Sequence, residues 1–356
     1  MDAYYLGKPY SSIGIFQRNI IVQFAKSDGI DELHILTNAE PDNDLRYDKC
    51  LYHISGGSFI QKGRFIANIR DTISPDIIFY TFNLIPPMGG ISKTRKVLQN
   101  HDWSHGQFAS TFDEKIKGHI YQILHRRSAL KADLNLANSE FTNEEAGIYA
   151  GRSCSVIYHD ADPTYKGRVP GEMETKIRPE LQPFSYIIYA GRVRPMYKNI
   201  RTLLLAFKNI SSKYKNLKLV IVHSDSFSRE DMDLVKKLNT SVLSIGNVSK
   251  LELKYLYKNS LCMVYPSLYE GFGSPILEAQ NSGTPVIAYN RKPMTEVGGE
   301  GAVYFDGTVI DLMQKITLFI EDQTARKNTI IRGFINAGRF DWKTTALKIV
   351  EVFNEQ

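Results

Sequence analysis

The chain has 356 residues, 43% of them hydrophobic and 23% charged, with a net charge of +6. That length exceeds what one hydrophobic core usually organises, so two domains are expected. No run of eighteen apolar residues occurs, and the opening Met-Asp-Ala-Tyr-Tyr-Leu-Gly has neither a basic n-region nor a long apolar h-region, so the expectation is a protein that neither spans a membrane nor is secreted. Cys50, Cys154 and Cys262 are far apart and odd in number, which supports neither a disulfide framework nor a zinc site and points to a reducing compartment. The charge is uneven, −2 over residues 1–165 and +8 over 166–356. A basic half suits nucleic acid, an anionic membrane or a phosphorylated ligand. Without an arginine-rich tract or a nucleic-acid module, nucleic acid ranks last.

In chain order the first half alternates strands at Ala3–Leu6, Glu32–Leu36, Asp76–Thr81, Lys96–Gln99, Leu134–Asn138 and Ser155–Tyr158 with helices near 14–27, 115–131 and 140–148. This is a doubly wound α/β pattern. Between Asp160 and Pro183 prolines and glycines gather without apolar periodicity, which reads as a linker over 166–183 between domains at 1–165 and 184–341. The pattern then restarts: strand Ser185–Ala190, helix 199–214, strands Leu217–His223 and Val242–Ile245, helix 250–259, strand Leu261–Tyr265, helix 275–282, strands Pro285–Tyr289 and Ala302–Phe305. No low-complexity segment or short repeat is visible. Ligands of such sheets bind beyond the carboxyl ends of the strands.

Two strand-to-helix loops carry the chemistry. Tyr265-Pro-Ser-Leu-Tyr-Glu-Gly-Phe-Gly-Ser-Pro-Ile-Leu-Glu278 sets two carboxylates, Glu270 and Glu278, around a glycine loop that enters a helix, with Ser274 read as the N-cap and Pro275 as the first helical residue. Gly271 and Gly273 permit close backbone approach, and amides at a helix start attract an anion or sugar hydroxyls. Taken alone, the stretch also fits a capped helix with two solvated glutamates. Tyr189-Ala-Gly-Arg-Val-Arg-Pro-Met-Tyr-Lys-Asn199 turns at Gly191 and places Arg192 and Lys198 in the loop, a forked cation and a point charge that suit a diphosphate. Either cation singly also fits a basic surface loop, and Arg194 is weaker.

These two loops, followed by Asn281-Ser-Gly-Thr-Pro-Val-Ile287, Glu296-Val-Gly-Gly-Glu-Gly-Ala302 and Phe340-Asp-Trp342, resemble the retaining glycosyltransferases of family 4, the group 1 glycosyl transferases. In the first half, Ser11-Ser-Ile-Gly-Ile-Phe16 is similar to the family's glycine loop, His101-Asp102 to its cleft histidine and Asn138-Ser-Glu-Phe-Thr142 to its serine-glutamate helix start. The resemblance implies a GT-B fold: two Rossmann-like α/β domains facing across a cleft, with the C-terminal helix 342–356 crossing back to the first, acceptor-side domain. It implies that Arg192 and Lys198 hold the donor diphosphate, with Gly191 at the turn. It further implies that Glu278 binds the ribose, and that Glu270 with Gly271, Phe272, Gly273 and Ser274 holds the sugar. Gly14 would admit the phosphates and His101 would sit beside the reacting sugar. His101 otherwise fits a satisfied loop histidine, a substrate contact or a general base. His105, His119 and His125 have no comparable support.

The implied function is transfer of a hexose (mannose, glucose or similar) from a GDP- or UDP-linked sugar to a glycan or lipid-linked glycan hydroxyl with retained anomeric configuration. The alternatives are a catalytically silent nucleotide-sugar-binding subunit and an inverting or epimerising member of the same fold. No cofactor and no metal are expected, no nucleic acid partner is expected, and the setting is cytoplasmic with peripheral membrane association left open. Two features depart from the family: Val222-His-Ser-Asp-Ser replaces a glycine-rich turn, and Tyr158-His-Asp-Ala-Asp162 ends the last strand of the first half. Asp160-Ala-Asp162 and Asp42-Asn-Asp44 mimic a metal-binding Asp-x-Asp; at a domain-closing strand the former reads better as a turn.

Overall fold

The computed structural model describes residues 1–8, 10–87, 93–104, 107–109, 111–168 and 181–355. The chain divides into two units, Met1–Asp160 with Phe340–Gln356, and Ala161–Arg339. The linker expected over 166–183 falls largely outside the described residues, as does His105.

The first unit contains α1 (Ser12–Ala25), β1 (Leu33–Thr37), β2 (Cys50–Ile54), α2 (Phe59–Ile73), β3 (Ile77–Tyr80), β4 (Arg95–Asn100), α3 (Phe112–Lys131), β5 (Leu134–Ala137), α4 (Glu140–Ala150) and β6 (Ser155–Val156). β3, β4, β5 and β6 pair in that order, all parallel, and β1 pairs with β2. Asp2 bridges the two groups through parallel contacts to Leu36 and Tyr80. Extended backbone therefore runs over the first three residues, not over Ala3–Leu6. Asp2 N–H donates to Phe79 O at 2.9 Å and Ala3 N–H to Leu36 O at 2.8 Å, after which Leu6 N–H turns back to Ala3 O at 3.0 Å. Side chains of adjacent strand residues enter opposite faces: Phe79 and Val97 join one core, Ile78, Tyr80 and Leu98 the other.

β2 and α2 had no sequence assignment. β2 is a sheet-edge strand with Leu51 and Ile54 exposed, so its apolar pattern is diluted. α2 buries only Gly63, Ile66 and Arg70, although its capping box, Ser58 with Gln61, was legible.

The second unit contains β7 (Tyr186–Ala190), α5 (Ile200–Lys213), β8 (Lys218–Val222), α6 (Arg229–Leu238), β9 (Val242–Ile245), α7 (Lys250–Asn259), β10 (Cys262–Tyr265), α8 (Ser274–Asn281), β11 (Val286–Tyr289), α9 (Met294–Gly298), β12 (Ala302–Phe305), α10 (Val309–Glu321) and α11 (Gln323–Ala337). Its six strands are parallel in the order β12-β11-β10-β7-β8-β9. β7 is buried on both faces, as a central parallel strand must be: Ile187 and Tyr189 face one core, Tyr186, Ile188 and Ala190 the other. α5 buries Ile200, Leu203, Leu204, Phe207 and Ile210, the spacing of a helix with one apolar face.

After Arg339 the chain rejoins the first unit as α12 (Trp342–Asn354). Asp341 caps it by accepting from Thr344 N–H at 2.8 Å, and Ile349 and Val352 are buried in the core that includes α1. Arg95 donates to the carbonyls of Phe353 and Glu355 at 2.7 and 2.6 Å, placing a cation where a helix end carries negative charge. Among the described residues no helix is long and apolar enough to cross a membrane. Cys50, Cys154 and Cys262 are buried free thiols.

Candidate active site

In the second unit the chain builds β8 and β9 on one flank of β7 and then returns to add β10 on the other. Loops leaving two strands at such a reversal diverge and open a crevice at their carboxyl ends. The β7 loop carries Gly191 to Asn199 and the β10 loop carries Pro266 to Gly273, the two segments singled out by sequence. Backbone bonds lace them together. Leu268 N–H donates to Tyr197 O at 2.7 Å, and the Asn199 side-chain amide donates to Pro266 O at 3.2 Å. Asn199 takes a left-handed φ of 52°, a conformation that asparagine tolerates better than most residues.

The lacing brings Lys198 to Glu270. Lys198 Nζ donates to Glu270 Oε1 at 2.6 Å, with the side chains 13% and 14% exposed. The ammonium also lies 5.3 Å from the Tyr197 ring centroid and 5.8 Å from that of Tyr265. Because an ammonium has three donors and a carboxylate two oxygens, the pair leaves both members able to take further partners. Arg192 is different: its side chain is 61% exposed and its Nε lies 3.2 Å from Asp225 Oδ2. Asp225 Oδ1 accepts from Val193 N–H at 2.7 Å, so this carboxylate holds both the loop and its cation. Asp225 was missed in sequence because it sits in the Val222-His-Ser-Asp-Ser turn, which differs from the family pattern and gives no motif to match.

The β10 loop continues through Gly271 and buried Phe272 into α8. The cap is Gly273, not Ser274; Ser274 and Pro275 are the first two helical residues, and Gly273 adopts a φ of 102° that an L side chain would strain. Glu278, one turn on, is pushed up to about 7 by burial first and then by the charge of Asp162, with Lys250 opposing. Lys250 Nζ contacts Asp162 Oδ2 at 2.5 Å. Burial would raise Asp162 too, but Lys250 and the donors of Thr164 hold it below its ordinary range. Asp162 also accepts from Thr164 N–H at 2.9 Å, capping a single 3-10 turn, Pro163–Tyr165, in accord with the turn reading of Asp160-Ala-Asp162. Asp42 and Asp44 bind Arg18 at 2.7 and 2.5 Å. Among the described residues no three His, Cys, Asp or Glu side chains group as a metal would require.

The first unit has its own reversal, between the segment at Asp2, which β1 flanks on one side, and β3 on the other. His101 follows β4 nearby and is buried. Its Nε2 lies 2.8 Å from Thr81 O. A carbonyl oxygen only accepts, so Nε2 carries the hydrogen and, in the neutral ring, Nδ1 keeps the lone pair. Burial lowers the ring's pKa, against the Thr81 carbonyl and the Asp102 charge, which favours that neutral form. The backbone is pinned as firmly: His101 N–H donates to Asn83 Oδ1 at 2.7 Å, and its carbonyl accepts from Asn138 at 3.1 Å. Phe16 packs edge-on at 5.5 Å and His159 at 5.4 Å. His125 stacks on Trp103 at 3.6 Å and His119 is exposed on α3, so neither joins His101. His159 was not anticipated, although it stands in the departing Tyr158-His-Asp segment.

Gly14 lies in the first turn of α1, capped by Ser11, which accepts its N–H at 3.0 Å. A Cβ there would meet Lys8 O at 2.3 Å and Tyr5 O at 2.7 Å, so the chain's own turn already requires this glycine. Beside these residues Tyr5, Phe82, Asn83, Asp102, Lys117 and Tyr121 line a cavity of about 420 Å³.

Residues 174–334 match the family described as Glycosyl transferases group 1. The chain is 30% identical over 173 residues to the O-antigen chain mannosyltransferase B of Escherichia coli, covering 47% of this chain and 45% of that one. The chain thus spans less than half the length of the curated relatives it matches first. Among solved structures, WaaG, a glycosyltransferase involved in lipopolysaccharide biosynthesis, superposes with a TM-score of 0.72 at 13% identity over 98% of this chain and 97% of its own. HepE of Anabaena in complex with UDP-glucose does so with a TM-score of 0.70 at 18% identity over 95% of each chain. Residues 174–334 thus carry the match to the group 1 glycosyltransferases, and the chain has the GT-B fold.

Proposed function

We propose that this protein transfers a hexose, mannose first among candidates, from a nucleoside-diphosphate sugar to a hydroxyl of a glycan or lipid-linked glycan, with retention at the anomeric carbon. The observation that carries the reading is the Lys198–Glu270 pair at the β7/β10 crevice, which joins a cation for diphosphate to a carboxylate for sugar hydroxyls. The mannosyltransferase relative favours mannose, and the neighbour bound to UDP-glucose supports a nucleotide sugar, GDP- or UDP-linked. In this reading Arg192 and Lys198 neutralise the charge that grows on the departing diphosphate, without a metal ion. Glu270 orients the sugar, the amides from Phe272 to Ser274 support it, Glu278 accepts from the ribose, and the His101 ring serves the reacting sugar. The protein works in the cytoplasm, at the periphery of a membrane where the acceptor is lipid-linked.

The experiment is release of nucleoside diphosphate from GDP-mannose and from UDP-hexoses, with and without a lipid-linked acceptor, and proton NMR of the product. Acceptor-dependent release with the donor's anomeric configuration kept is expected. Donor binding without turnover would favour the silent subunit, and an inverted product would remove retention.

A further inference from the structure

The turn after β8, Val222-His-Ser-Asp-Ser226, is where this chain departs from the glycine-rich turn of the family it resembles. Its side chains form a relay from the edge of the sheet to the β7 loop. His223 is tied to β9, the edge strand, twice: its N–H donates to Ile245 O at 3.0 Å, and its ring Nε2 lies 2.7 Å from Ser244 Oγ. The other ring nitrogen, Nδ1, lies 2.5 Å from Asp225 O. A carbonyl only accepts, so Nδ1 carries the hydrogen and the imidazole fixes the backbone of Asp225. Asp225 then divides its carboxylate. Oδ1 accepts from Val193 N–H at 2.7 Å, and Oδ2 accepts from Arg192 Nε at 3.2 Å. The Arg192 carbonyl is held separately, accepting from the buried Tyr189 hydroxyl at 2.5 Å.

An arginine and a carboxylate often meet as two forks joined by parallel bonds. Here one carboxylate oxygen is committed to the backbone, so Arg192 gives up Nε alone, and among the described residues no other group bonds its guanidinium. Both Nη groups are left, and their edge matches two oxygens of a phosphate. Stability does not explain the pair, because an ion pair whose arginine is 61% exposed contributes little. Orientation does. Lys198 is a point charge with three rotatable donors and needs no guide, whereas a planar fork gains most from bidentate contact when its plane is set before the ligand arrives. We propose that Asp225 is a positioning residue for the donor diphosphate, holding Arg192 by Nε so that the Nη edge is preset for phosphate oxygens. Asp225 has this role only if Arg192 is a diphosphate ligand, as in the function proposed above.

Calorimetry of the full chain with GDP and with UDP is run on wild type, Arg192→Ala, Asp225→Asn and the double variant. Asparagine keeps the shape and one acceptor oxygen, enough for Val193 N–H, but sets an amide against Arg192 Nε. Asp225→Asn is expected to lower the affinity for whichever nucleotide binds by about tenfold, within the range of couplings between residues in contact, with thermal melting close to wild type. In the Arg192→Ala background the same change should cost nothing further. An equal loss in both backgrounds would make Asp225 a brace for the loop alone and overturn the proposal, as would an unchanged affinity in Asp225→Asn. If Arg192→Ala weakens binding while Asp225→Asn does not, the donor reading stands and this one falls. If Arg192→Ala binds as wild type does, or wild type binds neither nucleotide, both fall.

Discussion

The crevice of the second unit and the His101 pocket of the first are built from opposite chemistry. In the second unit charged side chains pair in twos: Lys198 with Glu270 and Arg192 with Asp225 in the strand-to-helix loops, and Lys250 with Asp162, whose charges act on Glu278. The groups that bond to His101 or pack on its ring are neutral: two amides, a backbone carbonyl and aromatic rings around an imidazole whose pKa burial lowers against the charge of Asp102. A diphosphate must be met by full charges that are held in place yet able to take new partners, and ion pairs with spare donors do that. A lone pair offered to one hydroxyl needs a dry setting in which the base stays unprotonated and cannot rotate.

This contrast can be broken most severely at the β7 and β10 loops. Arg192→Ala with Lys198→Ala should abolish turnover, since one preorganised charge-stabilising donor is commonly worth about 10²–10³ in rate. Thermal melting would check that the fold survives, and residual turnover near wild type would remove both cations from the mechanism.

His101→Ala should come next, lowering turnover by about 10²–10⁴ while nucleoside diphosphate affinity holds. Steady-state rates alongside calorimetry separate the two. A parallel loss of nucleotide affinity would mean that the neutral pocket and the charged crevice are not divided as described.

Glu278→Gln sharpens the comparison, because Glu278 is a carboxyl with the desolvation of one site and the charged neighbours of the other. Its folded pKa of about 7 lies above the ordinary 4.5, so between those values the native state keeps a proton that the unfolded chain has released. The stability tied to Glu278 is therefore complete below the unfolded value and is lost as pH rises to the folded one. Urea midpoints of wild type should fall across that window relative to Glu278→Gln. Nucleoside diphosphate affinity above the window should drop in the variant by about 1.5–3 kcal/mol, the scale of a hydrogen bond to a charged group. Identical pH profiles would show that Glu278 does not titrate there.

The smallest expected effect is none at all: turnover in EDTA should equal turnover without it, if, as proposed, protein cations take the role a divalent ion has elsewhere. Loss of activity restored by magnesium or manganese would reverse this, and would direct attention to Asp160 and Asp162.

The sequence alone determined the elements whose signals are local. The apolar runs of β7, β10 and β11, the cations after Gly191 and the glutamates around Gly271 and Gly273 declare themselves within a few residues, because a buried parallel strand must be apolar throughout and a phosphate loop needs glycine and charge together. β2 and α2 escaped because an edge strand and a shallow helix bury too little to impose a clean period. The turn at Tyr4 to Gly7 escaped because an apolar run alone does not say where pairing stops; the match of Asp2 to its two neighbouring strands does. Tertiary structure alone decided that Lys198 meets Glu270, seventy-two residues away, that Asp225 anchors Arg192, and that burial, helped by the charge of Asp162, raises the pKa of Glu278. Those pairings depend on which strands become neighbours in the sheet and on how much water the packing removes, quantities that belong to the assembled core and to no single segment of the chain.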